Sequence, residues 1–318
     1  MREILTPALL ALCLAAAPLR AADPIAASAA PPPAVAEPVV PAELKTLVDR
    51  QRALLAQADK AADQAGVEAL RPDFQRLIVD YEQFLKDHPD VAAGYVSYAL
   101  LLSRPVLGER ARAAALLLKA NQLDPDQPLV KNQLGNYLAE DGKPLQAVNY
   151  FLAAIRLAPA EPLYHYQLGT LLAAARDDFL ASGEWQRPVL DDAMQEAFHQ
   201  ATTLAPGNVE YALAYGKSFF ELEKPDWDGA MNYWRSLESR LQVLSLPKPK
   251  LIQQTIHLYQ AKVLLKQGRL DEARTMLATV DDLQLATARQ VLAAELAALP
   301  APAASANITV PAVGAPVR

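Results

Sequence analysis

A ruler of prolines constrains this chain more than any other feature. Pro89, Pro125, Pro159 and Pro206 mark successive intervals of 36, 34 and 47 residues. The regular part is clearest at residues 128–162, which read PLVKNQLGNYLAEDGKPLQAVNYFLAAIRLAPAEP. Val130, Leu134 and Leu138 make an apolar stripe at helical spacing. Pro128 suits a first helical position, where its missing N–H costs nothing. Gly142 fits a left-handed cap that ends this helix, and Pro144 restarts the chain in a second one. Ala147, Phe151, Ala154 and Ile155 then face back on the first helix. Gly135 and Ala147 are small where the two helices cross, which leaves a gap for Phe151. A helix pair this short cannot bury both faces alone, so it must stack on copies of itself.

In the same unit, Lys131 stands at the opening position, followed by Leu134-Gly135, Leu138, Ala147, Phe151, Ala154 and Pro159. This spacing resembles the 34-residue tetratricopeptide repeat (TPR), whose pattern is W-x2-L-G-x2-Y, A-x3-F and a terminal Pro. Only the opening Trp is missing. Weaker copies extend the resemblance over residues 72–280. Leu77, Tyr81 and Phe84 supply half of a degenerate first repeat, and Tyr95, Tyr98, Ala99 and Leu102 pair with Ala113, Leu117 and Ala120. Leu168-Gly169 and Leu172 pair with Met194, Phe198 and Ala201, then Tyr215-Gly216 and Phe219 with Ala230, Trp234 and Leu237. The last copy holds Ala261, Leu264, Gly268, Ala273 and Leu277, and Leu283 to Leu299 reads as a capping helix. The resemblance implies an all-α fold, a right-handed α-solenoid of stacked antiparallel helix pairs with about five repeats. No run of alternating β-branched residues argues for a sheet.

Two intervals depart from the ruler. The longer first interval places its extra residues at Ser103-Arg104-Pro105, between two helices. The 47-residue interval carries an insertion between Ala173 and Asp192, with Arg176, Asp177, Asp178, Phe179, Trp185 and Arg187 in it. Extra length on one face of a repeat array reads as a binding surface.

The expected organisation is a signal peptide at 1–22, an Ala/Pro linker at 23–42, a helical solenoid at 43–299 and an Ala/Pro tail at 300–318. Arg2 followed by the apolar run Ile4 to Ala17 and small residues at Ala21 and Ala22 has the form of a cleaved export signal, shorter than a membrane span. The lone Cys13 lies inside that run and follows Leu12, which disfavours lipidation, and its removal leaves no thiol chemistry. The reading is periplasmic or secreted, with no membrane span in the mature form. Leu246-Pro247-Lys248-Pro249-Lys250 reads as a stiff basic link.

A net charge of −6 argues against bulk nucleic-acid binding. Gly216-Lys217-Ser218 lacks the earlier glycine of a phosphate loop, since Tyr211 stands there, so Gly216 reads as a close-packing residue. His88, His165, His199 and His257 are dispersed, and His165, at a repeat's opening position, is expected to pack between helices. Asp177-Asp178 and Asp191-Asp192 bracket the insertion and offer a metal alternative, a hydrolase hidden there. No nucleophile–base–acid motif appears, so the expectation is no enzyme and no cofactor.

In stacked TPR units the first helices line a groove for a peptide. The groove candidates are Ser97, Leu100, Asn132, Asn136, Tyr166, Thr170, Leu213 and Lys217. Asparagine amides both donate and accept, so they can grip a peptide backbone. The carboxylate clamp of some cytosolic TPR domains is missing, because its sites carry Val96, Leu100, Gln133, Leu163 and Gln167. The chain therefore reads as a scaffold for a protein or peptide partner in envelope assembly or maturation, using the groove and the insertion surface of Arg176, Asp177, Asp178, Trp185 and Arg187. The alternative is an envelope glycan or peptidoglycan module, with Trp185, Trp227, Tyr166 and Tyr211 as stacking surfaces.

Overall fold

The computed structural model describes residues 41–61, 63–105, 107–241 and 248–299. The expected signal peptide, the tail, nearly all of the linker and the first residues of the basic link lie outside them.

Every regular element among the described residues is helical. Prolines stand at the first or second position of six of the described helices, where a missing N–H breaks no bond. The chain forms two compact units, which divide after Leu204.

The first unit holds α1 (Ala42–Lys60), α2 (Gln64–Ala69), α3 (Arg71–Asp87), α4 (Ala92–Leu102), α5 (Arg110–Leu123), α6 (Pro128–Glu140), α7 (Pro144–Leu157), α8 (Pro162–Ala174), α9 (Arg176–Ala181) and α10 (Arg187–Leu204). It is a stack of antiparallel pairs, α4 on α5, α6 on α7 and α8 on α10, with α1 packed on α3 at its start. The Leu44, Leu47 and Leu54 stripe of α1 meets Phe74, Leu77, Tyr81 and Phe84 of α3 in the core. Tyr81 stacks on Tyr98 with ring centroids 5.3 Å apart, and its hydroxyl donates to buried Gln51 at 2.6 Å. The first helix reads longer in the sequence, to Gln64, than it runs; Ala61 turns extended and Asp63 caps α2 through its carboxylate.

The second unit holds α11 (Val209–Ser218), α12 (Trp227–Leu241), α13 (Pro249–Lys266), α14 (Leu270–Leu277) and α15 (Ala286–Ala298). Trp234 is fully buried at its centre and stacks on Tyr259 at 4.9 Å. Leu292 and Leu296 of α15 close the core at the end of the described chain.

One device recurs in both units. A Cβ added at Gly135 would lie 2.8 Å from the Phe151 ring, and one at Gly169 would lie 2.8 Å from Phe198. At Gly216 the obstacle is the Trp234 ring. In each pair a large ring of the second helix thus sits where a side chain of the first would be. This is the expected gap at Gly135, and it gives Gly216 a packing role. Gly142 has φ +64, as its capping role requires. Its neighbour Lys143 donates its backbone N–H to Leu138 at 2.8 Å, which satisfies a free helix-end carbonyl.

Candidate partner-binding surface

His165, at a repeat's opening position, adds a hydrogen bond to its expected packing role. Its Nε2 lies 2.9 Å from the carbonyl oxygen of Pro159, six residues back, at a half-buried site. Tyr95 does the same two intervals earlier, donating to the Pro89 carbonyl at 3.1 Å. Both side chains tie the start of a repeat to the proline that ends the one before. Lys131 departs from this and donates to Asn121 at 2.7 Å.

The groove candidates divide. Asn136, Ser97, Leu100, Tyr166 and Leu213 are half-buried, and Thr170 and Lys217 are exposed. Asn132 is the correction: it is fully buried, and neither its Oδ1 nor its Nδ2 has a hydrogen-bond partner. It lies three residues before Gly135, so helical rotation carries it toward the face that packs on α7 rather than the open one. Thr170 turns its hydroxyl onto the Tyr166 carbonyl at 2.9 Å, and the Tyr166 ring leans on Phe198 at 6.0 Å. Leu213 and Lys217 belong to the second unit.

Asn136 opens onto a cavity of about 470 Å³ in the first unit. The connection from α4 to α5 makes its far wall, and α6 makes its floor. Seven residues join α4 to α5, where three join α6 to α7, and Gly108 turns that longer strap at φ +67. The extra length read at Ser103-Arg104-Pro105 is therefore a wall of this cavity. Gln133, Asn136 and Tyr137 line it from successive positions of α6. The Gln133 and Asn136 amides make no hydrogen bond among the described residues. The Tyr137 hydroxyl faces Ser103, is buried and makes no hydrogen bond of ordinary length. Burial pushes the Tyr137 phenol up, against the opposing pull of Arg110, so it stays a protonated donor. Arg110 is held in place by the Tyr137 carbonyl at 2.8 Å and by Glu140 at 2.6 Å, and its guanidinium covers the Tyr137 ring at 5.1 Å. The sequence points to Asn136 as a groove residue and to Gln133 only as the occupant of a missing clamp site, and it does not single out Tyr137. The signal was available, because the extra strap residues precede the helix that carries all three.

The insertion is folded, not a free loop. It forms α9 and lengthens α10, joined by a turn at Gly183 with φ +77. Trp185 is a second correction. It is 7% exposed and meets fully buried Phe179 edge-on at 5.2 Å, so it serves the core and offers no stacking surface. Tyr211 of the glycan alternative is buried as well. Arg176 and Arg187 converge on buried Asp191, with nitrogen–oxygen distances of 3.6 and 2.8 Å. Their side chains are mostly covered, so they contribute little surface. Asp177 remains exposed and Asp178 half-buried. Of the acids that bracket the insertion, Asp191 is engaged by the two guanidiniums, and no group of three His, Cys, Asp or Glu that could hold a metal occurs among the described residues.

No helix among the described residues is long and apolar enough to cross a membrane. No family model and no curated protein sequence matches the chain. Among solved structures, PilF of Pseudomonas aeruginosa superimposes with a TM-score of 0.52 at 16% identity, covering 80% of this chain and 97% of its own. YrrB, described as a TPR protein with an unusual peptide-binding site, gives 0.51 at 18% identity, covering 68% of this chain and 97% of its own. These likenesses establish the fold as TPR-like stacked helix pairs.

Proposed function

We propose that the chain is a non-catalytic TPR scaffold of the cell envelope that holds a segment of a protein partner on the first unit. One observation carries the reading: the α6 cavity presents the amides of Gln133 and Asn136 with no internal hydrogen bonds. Such amides donate and accept at once, which suits the alternating N–H and C=O groups of a peptide backbone. The peptide-binding site of YrrB supports this by analogy of fold alone. The envelope location is supported by the charge, apolar run and small residues of positions 1–22.

The test places a photocrosslinking residue at Asn136 and, as a control, at exposed Val79 of α3. A discrete partner captured through Asn136 and not through Val79 is expected. Capture by neither, or equally by both, would sink the proposed surface. Export is tested separately, by fusing alkaline phosphatase after residue 42. Inactive fusions in a bacterial host would remove the envelope assignment and leave the binding surface untouched.

A further inference from the structure

Among the described residues of the second unit, two lysines have no carboxylate within ion-pair distance. Lys217 follows Gly216 on α11, and Lys262 follows fully buried Ala261 on α13. The lysines therefore hold the same register on two first helices. Their Nζ atoms lie 5.8 and 5.5 Å from the centroid of the Tyr259 ring, and Lys262 also lies 5.3 Å from Phe220. The rings are fixed from behind: Tyr259 stacks on Trp234, and Phe220 leans on Trp227 at 5.3 Å.

Among the described residues, neither lysine has a carboxylate within ion-pair distance, whereas Lys250 of the same unit pairs with Asp281 at 3.0 Å. Tyr259 supplies no counter-charge, because burial pushes its phenol up and keeps it neutral. The two ammonium groups stand within about 11 Å of each other, well inside the screening length of about 30 Å at 0.01 M salt. Ring faces attract each cation but do not cancel their mutual repulsion. This unrelieved positive pair sits in a chain whose net charge is −6. Lys217 is exposed, and Lys262, Tyr259 and Phe220 are half-buried, so a ligand can reach all four.

We infer that this shelf binds a carboxylate-rich segment of a peptide. Two flexible ammonium groups flank an apolar floor of two rings, Tyr259 and Phe220, tilted 51° to each other at 5.7 Å. That suits side-chain carboxylates spaced along a chain, with their methylenes on the rings. A single phosphate is better held by donors that converge on one point, such as backbone N–H groups or an arginine fork. The inference rests on the protein-partner reading but uses the other unit, so each can fail without the other.

The experiment measures fluorescence anisotropy of labelled, acetylated hexaglutamate with the full chain at low salt. Hexaglutamine serves as the neutral control and inorganic phosphate as competitor. Binding that weakens about tenfold in Lys217→Glu and in Lys262→Glu is expected, with near-normal binding in Lys217→Arg and in Lys119→Glu, a charge reversal in the first unit. Circular dichroism checks that each variant folds, and Lys217→Gln, which changes only the solvent-facing charge, should give a smaller loss in the same direction. The inference is overturned if hexaglutamate does not bind the unaltered chain, or if Lys119→Glu weakens it as much as Lys217→Glu. It is equally overturned if phosphate displaces the peptide at matching concentration.

Discussion

The pairs α6/α7 and α8/α10 solve the same packing problem with different amounts of chain. Both let a phenylalanine of the second helix occupy the place of a missing side chain on the first, at Gly135 and Gly169. The first pair closes with three residues and one left-handed glycine. The second spends its extra chain on α9, a buried Trp185 and an Asp191 held by two arginines. The contact that defines a repeat is thus local, so a long insertion can be absorbed outside it. In this case the insertion became core, while the smaller departure between α4 and α5 opened a cavity.

That contrast can be broken at several points. Trp185→Ala should cost most, about 4 kcal/mol, if the insertion is true core. Urea unfolding measures it, and a loss under about 1 kcal/mol would return the insertion to the surface. Asp191→Ala should cost about 3 kcal/mol, because it removes the buried carboxylate on which Arg176 and Arg187 converge. A double-mutant cycle with Arg176→Met should recover part of that loss. Gly135→Ala and Gly169→Ala should each cost about 2 kcal/mol, the overpacking against a buried ring exceeding the roughly 1 kcal/mol that alanine gains in helix propensity. Equal losses in the two pairs would confirm that the insertion leaves the contact untouched, and unequal ones would refute it.

The smallest expected effect depends on pH. Burial alone would raise the Glu238 carboxyl, but hydrogen bonds from Gln260 at 2.9 Å and with His257 at 2.9 Å hold it below the usual range. A carboxyl lowered by folding stabilises the second unit above its unfolded pKa, and the contribution is lost as pH falls through the lowered value. Thermal melts from pH 6 to 3 should therefore show a steeper acid loss in the unaltered chain than in Glu238→Gln. Parallel curves would remove Glu238 as the cause.

Much of this architecture is legible in the chain. The spacing from Gly135 to Phe151 and the position of Gly142 each follow from backbone geometry within one or two turns of helix. Asn132 and Trp185 were misread because periodicity assigns a residue to a face but not to what covers that face. Residue type then misleads, since an amide reads as solvated and an indole in extra chain reads as surface. The lysine shelf was half legible. Lys217 reads as a groove residue, but Lys262 stands in the same register after a small residue that is alanine rather than glycine, which hides it from the repeat pattern. No local pattern shows that both lysines lack a counter-charge, because that depends on every acid of the unit at once.

The six-residue tether from His165 to Pro159, matched by Tyr95 to Pro89, has a consequence for building longer molecules. At two of the joints between repeats, one side chain and one carbonyl oxygen form a tether, both carried on the polypeptide that crosses the joint. A duplicated segment running from Pro125 to Ala158 would bring its own glycine, ring and cap, and would need only an acceptable residue at position 131 to dock. Extension of this scaffold is then a matter of copying a cassette, with the cavity and the lysine shelf left as they are at either side of the splice.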